Sequence, residues 1–588
     1  GYRCKSGENS RGHGLDLNRD KMRPFFAHHY MALVLAILVG AVCAAPQVYF
    51  ALHSPQYAGI TLTGQDGEEH TLARMQEMYD GHLALGNVFL PEKTTPYFAP
   101  GGGELVATAL GVPFFLSAAE AEIAGKFVFP FLIVLSIYTL SYAITRSRIA
   151  SLAAAAAVAF GDTLISGKAA WIDLLHGTSS SISFLALARP VNPEVSGLLL
   201  WLGLLLIYRI FFARTARAWE SALFAVLLAG GLYISIYIYS FLGMTLLLTA
   251  GWLVWRREWP LVLRALCIGA AGLLGALPYA INYHALTQAA GYADSALRQG
   301  VVLSHEPVIG LWVPIILLGT LFAWPGRFAA ARPFFFLSAL ALLLLSNQQI
   351  LTGHELQVNH YHWYITRPLV FVVIAIYGAH LLDRFVPQRT LRHMLWIAAI
   401  AVVCANALLI QINSYRAHAP KALERQAYAP ILKLLNGLPE GAVWANRDLS
   451  LIIPIYTRYD APNNDYMMYY LVPQPVIEKR LLLEYKLRGI TPAHALSTMQ
   501  AERIDIAKRL FGVYWRDQAG SYAAIPDSLL QQYAAAYKAV YAAPLAETFK
   551  SLGIGMAIKD TQSDAWMLEG QGVALSTTTG RFELYTIK

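Results

Sequence analysis

The chain has 588 residues, of which 56% are hydrophobic and only 14% are charged, and its mean hydropathy is +0.44. This composition excludes a disordered chain and an ordinary soluble enzyme, and it indicates a polytopic membrane protein. The pI of about 9.1 would suit a nucleic-acid-binding protein, but no basic stripe with interleaved aromatic residues occurs. We therefore expect no nucleic-acid partner. The four cysteines are scattered and form no CxxC pair, so we expect neither a disulfide framework nor a structural zinc site.

Apolar runs long enough to cross a hydrocarbon core recur along the chain. Residues 1–21 are interpreted as a leader or an added segment, and the run that ends in AVCAAP as an uncleaved first helix. We predict about eleven transmembrane helices within residues 22–412. The predicted ranges are 30–48, 124–144, 149–165, 195–213, 219–236, 238–255, 261–281, 309–325, 333–347, 368–383 and 394–412. The run 104–117 is too short to span and is predicted to be half-inserted or interfacial.

Short arginine-rich loops predict the orientation of these helices. When the loops are assigned alternately to the two sides, one side receives all the arginine pairs, such as Arg146 with Arg148. Cytoplasmic loops carry an excess of Lys and Arg, so this side is predicted to be the cytoplasm. The N-terminus is then cytoplasmic. The first outer loop 49–123 and the tail 413–588 are extracytoplasmic, which we expect to mean the periplasmic side of a bacterial inner membrane.

The tail 413–588 is more charged and richer in turn residues than the rest. It alternates strand-like runs, such as GAVWANRDLSLIIPIYT and FELYTIK, with helix-like runs such as SLLQQYAAAYKAVY. This alternation predicts a C-terminal soluble α/β domain. Its aromatic stretch NNDYMMYYLVPQP contains Tyr466, Tyr469 and Tyr470, which either bind carbohydrate or pack against the membrane domain.

The stretch TGQDGEEHTLARMQEMYDGH, residues 63–82, follows the first apolar run. It places three acids, Asp66, Glu68 and Glu69, within four residues. Helical periodicity puts most of its polar residues on one face and its apolar residues on another. We therefore predict an amphipathic helix on the membrane surface with its polar face toward a cavity. The alternative is a solvated surface helix with routine charge pairs.

From this stretch onward the order of features resembles the GT-C superfamily of integral-membrane glycosyltransferases. The features are a first span, the acidic D-x-E-E-H with ARMQEMYDG, the Pro/Gly turn and short apolar half-helix of YFAPGGGELVATALGVPFF, and a span ending in YTLSYAITRSRIASLAAA. The resemblance implies a GT-C-like fold, polyprenyl-phosphate-linked sugar donors, inversion at the sugar and a catalytic acid in the first outer loop. The common form has adjacent Asp and Glu, whereas here Gly67 separates Asp66 from Glu68. Asp66 is the first choice for the equivalent acid and Glu68 the second.

Two uses of such a carboxylate are open. It can take the proton of an acceptor hydroxyl as the oxygen attacks the anomeric carbon. Alternatively, it can hold a divalent cation, Mg²⁺ or Mn²⁺, that neutralises the leaving phosphate, with Asp66 and Glu68 as the candidate ligands. No glycine-rich nucleotide motif occurs at a strand–helix turn, which disfavours a nucleotide-bound donor.

A second stretch, SNQQILTGHELQVNHYHWYITRP at 346–368, gathers ionisable and aromatic residues between two predicted spans. Aromatic rings stack on sugars and arginine binds phosphate through two hydrogen bonds, so we predict a donor-binding loop. The alternative is an interfacial aromatic belt. A further arginine in the Pro-rich turn of 177–197 is a second candidate for lipid phosphate. The donor-binding candidates are His354, Glu355, His360, His362, Arg367 and Arg189.

These patterns predict a membrane glycosyltransferase that moves a sugar from a polyprenyl-phosphate-linked donor to a cell-envelope acceptor. The acceptor is expected to be a glycan, a glycolipid or a protein, and membrane lipids are expected to surround the helices. One alternative is a polysaccharide polymerase or ligase that acts on lipid-linked oligosaccharide. The other is a non-catalytic transporter or assembly subunit. A transporter should carry charges in mid-span, and this chain has few.

Overall fold

The structure is a computed structural model that describes residues 19–568, 570 and 572–588. Residues 1–18, which make up most of the predicted leader 1–21 and include Cys4, lie outside the described residues. The described part is mostly helical and ends in a small four-stranded sheet.

Among the residues that the structure describes, eight helices are long and apolar enough to cross a membrane. They are His28–His53, Ala118–Thr145, Glu194–Phe212, Ile236–Trp255, Trp259–Gln288, Gly326–Thr352, Asn359–Phe385 and Arg389–Leu435. Three shorter apolar helices are Arg148–Phe160, Ala218–Ile234 and Trp312–Ala323. Each of the eleven predicted apolar runs therefore coincides with a helix. By helix length and composition, eight of these helices qualify as membrane spans within the described chain, whereas the sequence predicted about eleven.

Close backbone contact organises the bundle around helix Ala118–Thr145. This helix packs against Arg19–His53, Arg148–Phe160 and Glu194–Ile207. At Gly40 of the first helix, an added Cβ would lie 2.6 Å from the carbonyl oxygen of Phe127. Small residues at such crossings let membrane helices approach until their backbones touch.

Ion pairs join the short arginine-rich loops to one another. Arg214 pairs with Glu258, and Arg327 and Arg392 both pair with Asp383. Loops that the arginine pattern placed on one side thus meet at one end of the bundle. That this end faces the cytoplasm stays a prediction.

The first long loop, between the helices that end at His53 and begin at Ala118, contains two further helices. They are Glu68–Tyr79 and Gly102–Gly111. The second has ten residues, which is too short to span, and it is followed by the exposed apolar side chains of Phe114 and Phe115. These features match the predicted interfacial segment.

The C-terminal region combines helices with the sheet. Its helices are Ala429–Leu435, Arg447–Tyr456, Gln474–Leu487, Pro492–Ala501, Arg503–Phe511, Tyr514–Ala519, Asp527–Ala542 and Leu545–Lys550. The strands lie in the order Val443–Trp444, Met556–Asp560, Phe582–Ile587 and Val573–Thr579. The first pair is parallel and the other two are antiparallel.

The strand and helix predicted for FELYTIK and SLLQQYAAAYKAVY are confirmed by Phe582–Ile587 and Asp527–Ala542. The prediction of a strand across 441–457 is wrong beyond Trp444, because helix Arg447–Tyr456 occupies most of the rest of this run. Asn446 caps that helix by accepting a hydrogen bond from the Leu449 N–H at 2.9 Å. Asn is among the preferred N-cap residues, and this local signal prevails over the β-branched content of the run.

The C-terminal region shares its hydrophobic core with the first long loop. Leu72 and Phe89 of the loop are buried in the same cluster as Ile453 and Leu482. Helix Arg389–Arg425 runs without a break through the predicted domain boundary at residue 413. The loop and the C-terminal region therefore form one packed unit at one end of the bundle.

Candidate functional site

A cavity of about 1020 Å³ lies between the bundle and the C-terminal region. The lining residues from membrane helices are largely apolar, among them Phe160, Trp201 and Ile410. The lining residues from loops and from the C-terminal region include many charged, amide and aromatic side chains. One continuous cavity thus offers an apolar wall and a polar wall, which suits an amphiphilic ligand.

Asp66 is the acid of the 63–82 stretch that faces this cavity. Its side chain is 93% exposed and lines the cavity wall. The next residue, Gly67, has φ of +77° and precedes helix Glu68–Tyr79. Glycine adopts this left-handed conformation without steric cost. The glycine that interrupts the Asp-Glu pair therefore makes a turn, with Asp66 exposed before it and Glu68 buried after it.

Glu68 does not line the cavity. It is fully buried and forms an ion pair with Lys126 of helix Ala118–Thr145. Its Oε2 accepts hydrogen bonds from the Gly64 and Gln65 N–H groups at 2.7 and 2.8 Å. A carboxylate that is engaged in this way has little capacity left for a substrate or a metal ion.

Glu69 is also engaged within the protein. Arg425 contacts it at 2.9 Å, donates to the Thr63 hydroxyl and pairs with Asp448 at 2.7 Å. Burial alone would raise the pKa of Asp448, but its bonds to Arg425 and Lys421 lower the pKa to about 2. The ionised Asp448 thus connects the first long loop to the C-terminal region. The predicted catalytic grouping of three acids is corrected, because only Asp66 reaches the cavity.

The residues near Asp66 do not fit a divalent metal site. In the part of the chain that the structure describes, no three His, Cys, Asp or Glu side chains are close enough to hold a metal ion. The charged neighbour of Asp66 is a cation, Arg189, and Glu68 lies in its own buried pair. The predicted Mg²⁺ or Mn²⁺ ligands Asp66 and Glu68 therefore do not share a site, and we derive no step through a metal.

Arg189 links Asp66 to the 346–368 stretch. Its Nε donates to the Asp66 carbonyl oxygen at 3.0 Å, and its Nη2 lies 3.6 Å from the Asp66 carboxylate. Its Nη1 donates to the Tyr364 hydroxyl. The side chain is 32% exposed and lines the cavity. Since a guanidinium has five N–H donors, several remain for a ligand.

Arg367, in contrast, contacts other side chains inside the protein and does not line the cavity. Its side chain is 2% exposed, and its Nε pairs with Asp162 at 3.1 Å. It also donates to the Ser166 hydroxyl, and its guanidinium lies 4.1 Å from the centre of the Trp363 ring. Burial and internal partners withdraw Arg367 from the cavity, whereas Arg189 lines it. The prediction that Arg367 faces a donor is therefore wrong, and the binding of a donor phosphate by Arg189 stays a prediction.

Of the other four predicted donor-binding residues, two lie at the cavity and two do not. His360 and Glu355 line the cavity, and His354 and His362 do not. Glu355 is brought there by strand His354–Leu356, which pairs with strand Val301–Leu303 of another loop. No sequence pattern indicates this pairing, because each strand has only three residues.

An aromatic stack supports the polar wall. The His360 ring lies between those of Tyr237 and Tyr364, at centroid distances of 4.6 and 5.3 Å. Arg516 and Asp517 of the C-terminal region also line this wall. Sequence analysis did not single them out, since an adjacent Arg-Asp pair in a helix has no distinctive spacing.

His70 of the first long loop contacts the C-terminal region through a hydrogen bond and a ring stack. Its Nε2 lies 2.7 Å from the Tyr470 hydroxyl, and its ring stacks on Tyr466 with centroids 5.1 Å apart. Tyr466, Tyr469 and Tyr470 also line the cavity. All three tyrosines thus pack against His70, at a centroid distance of 6.1 Å for Tyr469, and their binding of carbohydrate stays a prediction.

The pH dependence of stability is expected to report on His70. Burial, with a contribution from Arg74, holds the pKa of His70 well below its ordinary value, so the folded protein keeps the ring neutral. The unfolded chain takes up that proton below about pH 6.5. The stability that His70 contributes is therefore present above that pH and is lost below it, by up to about 1.4 kcal/mol per pH unit.

We expect His70→Gln to flatten the fall in melting temperature between about pH 7.5 and pH 5.5. The melting temperature can be followed by intrinsic fluorescence in detergent. His494→Gln, at an exposed position of the C-terminal region, is the control and should keep the wild-type slope. Equal slopes for His70→Gln and the wild type would show that His70 is not the titrating group.

Comparison with known proteins gives a weak likeness to a solved structure. No family model and no curated protein matches the chain. The crystal structure of the Archaeoglobus fulgidus oligosaccharyltransferase in the apo form aligns with 13% identity over 91% of this chain and 70% of that chain, with a TM-score of 0.38. At these values the likeness establishes neither a shared fold nor a shared function.

Proposed function

We propose that this protein is an integral-membrane glycosyltransferase of the GT-C type. It transfers a sugar from a polyprenyl-phosphate-linked donor to a hydroxyl group of a cell-envelope acceptor. The observation that carries the proposal is the pairing of an exposed carboxylate, Asp66, with a cation, Arg189, 3.6 Å away on the polar wall of a cavity whose other wall is apolar.

The two walls match the two parts of the donor. The prenyl chain lies along the apolar side chains that the membrane helices contribute, such as Trp201 and Ile410. The phosphate lies at the free N–H groups of Arg189, beside the Tyr364 hydroxyl. Arginine suits this role because its planar fork donates two parallel hydrogen bonds to one phosphate.

The chemical step is a displacement at the anomeric carbon. The acceptor oxygen forms a bond to that carbon while the bond from the carbon to the phosphate oxygen breaks. The bonding electrons leave with the polyprenyl phosphate, whose charge is stabilised by Arg189. The Asp66 carboxylate takes the hydroxyl proton of the acceptor. A single displacement from the opposite face inverts the configuration of the sugar.

The same arrangement supports a reaction on one particular side of the membrane. The cavity lies at the end of the bundle that carries the long loops, and the arginine-rich loops meet one another away from it. By the positive-inside rule, the reaction takes place on the extracytoplasmic face.

The test uses the full chain in nanodiscs with a panel of polyprenyl phosphates that carry a radiolabelled sugar. Envelope lipid and glycan extracts serve as the acceptor. We expect release of polyprenyl phosphate and passage of label to the extract, with one panel member preferred. Nucleotide sugars should donate nothing. Transfer from a nucleotide sugar alone, or no turnover of any lipid-linked donor, would overturn the proposal.

A further inference from the structure

We propose that a buried charge cluster holds Asp66 and Arg189 at their working separation. The cluster consists of Glu68, Glu122, Lys126 and Glu194. These are positioning residues, because none of them lines the cavity. The inference deepens the proposed function and rests on it, since it concerns the two groups to which that function assigns the proton and the phosphate.

The cluster is built around Lys126 within the helix bundle. The side chains of Lys126 and Glu68 are fully buried, and that of Glu122 is 1% exposed. The Lys126 ammonium contacts Glu68 and lies 2.7 Å from Glu122, one helical turn before it. Glu194 is 1% exposed. An added Cβ on Gly125 would lie 2.5 Å from its Oε1, so this carboxylate lies against the helix next to Lys126.

One arm of the cluster holds the turn that carries Asp66. Glu68 uses Oε1 for Lys126 and Oε2 for the N–H groups of Gly64 and Gln65. The backbone on the N-terminal side of Asp66 is therefore tied to a helix of the bundle. Hydrogen bonds to a charged acceptor are the stronger kind in proteins, which makes this an effective tether.

The other arm holds the loop that carries Arg189. Glu194 Oε2 accepts a hydrogen bond from the Val191 N–H at 3.2 Å. Val191 has φ of +62°, which is a genuine outlier for a β-branched residue. Such a conformation persists only where the surroundings enforce it, and it is typical of functional sites. The loop is thus held in a conformation that its own sequence disfavours, two residues after Arg189.

The two arms meet on one helix. Glu68 and Glu194 lie 126 positions apart in the chain, yet both carboxylates pack against the Gly125–Lys126 step. A change at Lys126 should therefore disturb two separate backbone segments together. If Glu68 and Glu194 each acted only on its own backbone segment, a change at Lys126 would disturb only one of the two segments.

Hydrogen exchange measured by mass spectrometry tests this without reference to activity. In Glu68→Ala, we expect exchange to rise about 10–100-fold in 62–66 alone, and in Glu194→Ala in 189–192 alone, since each variant removes the side-chain acceptor of backbone N–H groups in that segment. Lys126→Met should raise exchange in both segments, and Lys126→Arg should restore much of the protection. The matched control is Glu220→Gln, a 5% exposed carboxylate of helix Ala218–Ile234 that pairs with Arg209, fifteen residues after Glu194. It should change neither segment.

Kinetics on the same samples, expressed per folded protein, separate positioning from stability. We expect kcat to fall about 10–100-fold in Glu68→Ala with little change in the donor KM, since misplacement by about 1 Å can cost that much. In Glu194→Ala, we expect the donor KM to rise. If Lys126→Met does not fold, Glu68→Ala and Glu194→Ala still give both readouts, one segment at a time.

Two failures are distinguishable. If the wild type turns over no lipid-linked donor, the proposed function fails, and exchange still decides whether the cluster holds both segments. If the wild type is active but the variants exchange and turn over like the wild type, the positioning inference fails. A loss of folded protein with unchanged kcat and KM per folded molecule would likewise overturn it.

Discussion

Asp66→Asn is expected to abolish sugar transfer and to leave the folded protein intact. Removal of a general base commonly costs about 10²–10⁴-fold in rate, and the amide cannot accept the hydroxyl proton. The side chain is 93% exposed, and Gly67 rather than Asp66 occupies the N-cap position of the following helix. The substitution should therefore change the free energy of unfolding by less than about 0.5 kcal/mol.

The measurement is release of polyprenyl phosphate in nanodiscs, together with the melting temperature of the same sample. Glu92→Gln is the matched control, because Glu92 is an exposed carboxylate of the same loop that does not line the cavity. It should keep full activity. An Asp66→Asn variant that folds and turns over at the wild-type rate would remove Asp66 from the chemistry and leave its carboxylate a solvated surface group.

Arg189→Met is expected to weaken the binding of undecaprenyl phosphate about 10–100-fold, with little effect on the neutral undecaprenol. A hydrogen bond to a charged group contributes about 1.5–3 kcal/mol, and each 1.4 kcal/mol is a factor of ten in affinity. Methionine keeps the unbranched apolar stem of arginine and loses its donors. Arg367→Met should fail in a different way, by destabilising the fold, because it leaves the partly buried Asp162 without its cation.

Competition for binding in nanodiscs measures this difference between the two lipids. Arg458→Met is the control, since Arg458 is a 67% exposed arginine of the C-terminal region that does not line the cavity. It should discriminate between the lipids as the wild type does. If Arg189→Met still prefers the phosphate to the alcohol by the wild-type margin, the phosphate is bound elsewhere.

In the stretch 63–82, local sequence patterns predicted the helix but not all the partners of its side chains. Its periodicity predicted a helix, and Glu68–Tyr79 is one. The same pattern predicted a polar face toward the cavity, and Asp66, His70 and Arg74 do line it. It did not predict that Arg74 is 4% exposed and paired with Glu104 thirty residues on. Periodicity states which residues share a face. It does not state what that face meets, because the partner comes from a distant part of the chain.

The arginines of the site show the same limit. Arg189 and Arg367 both lie in polar loops just before apolar runs, and their sequence surroundings favoured Arg367, which stands beside aromatic residues. The structure leaves Arg189 at the cavity and not Arg367, because Asp162 lies where it neutralises Arg367. A pairing across about two hundred positions leaves no trace in composition or spacing.

The sequence by itself determined the apolar helices, the short interfacial helix, the mixed C-terminal region and the exposed acid Asp66. Each of these depends on neighbouring residues, through hydrophobic length, helical period or glycine at a turn. Tertiary structure alone decided that Glu68 and Glu69 are paired within the protein, that Arg189 lies at the cavity beside Asp66, and that the first long loop and the tail share one core. Those outcomes depend on which charges and apolar faces meet when distant segments pack. Burial of an ionised group is tolerated only where a partner is in place, and the location of that partner is a property of the fold.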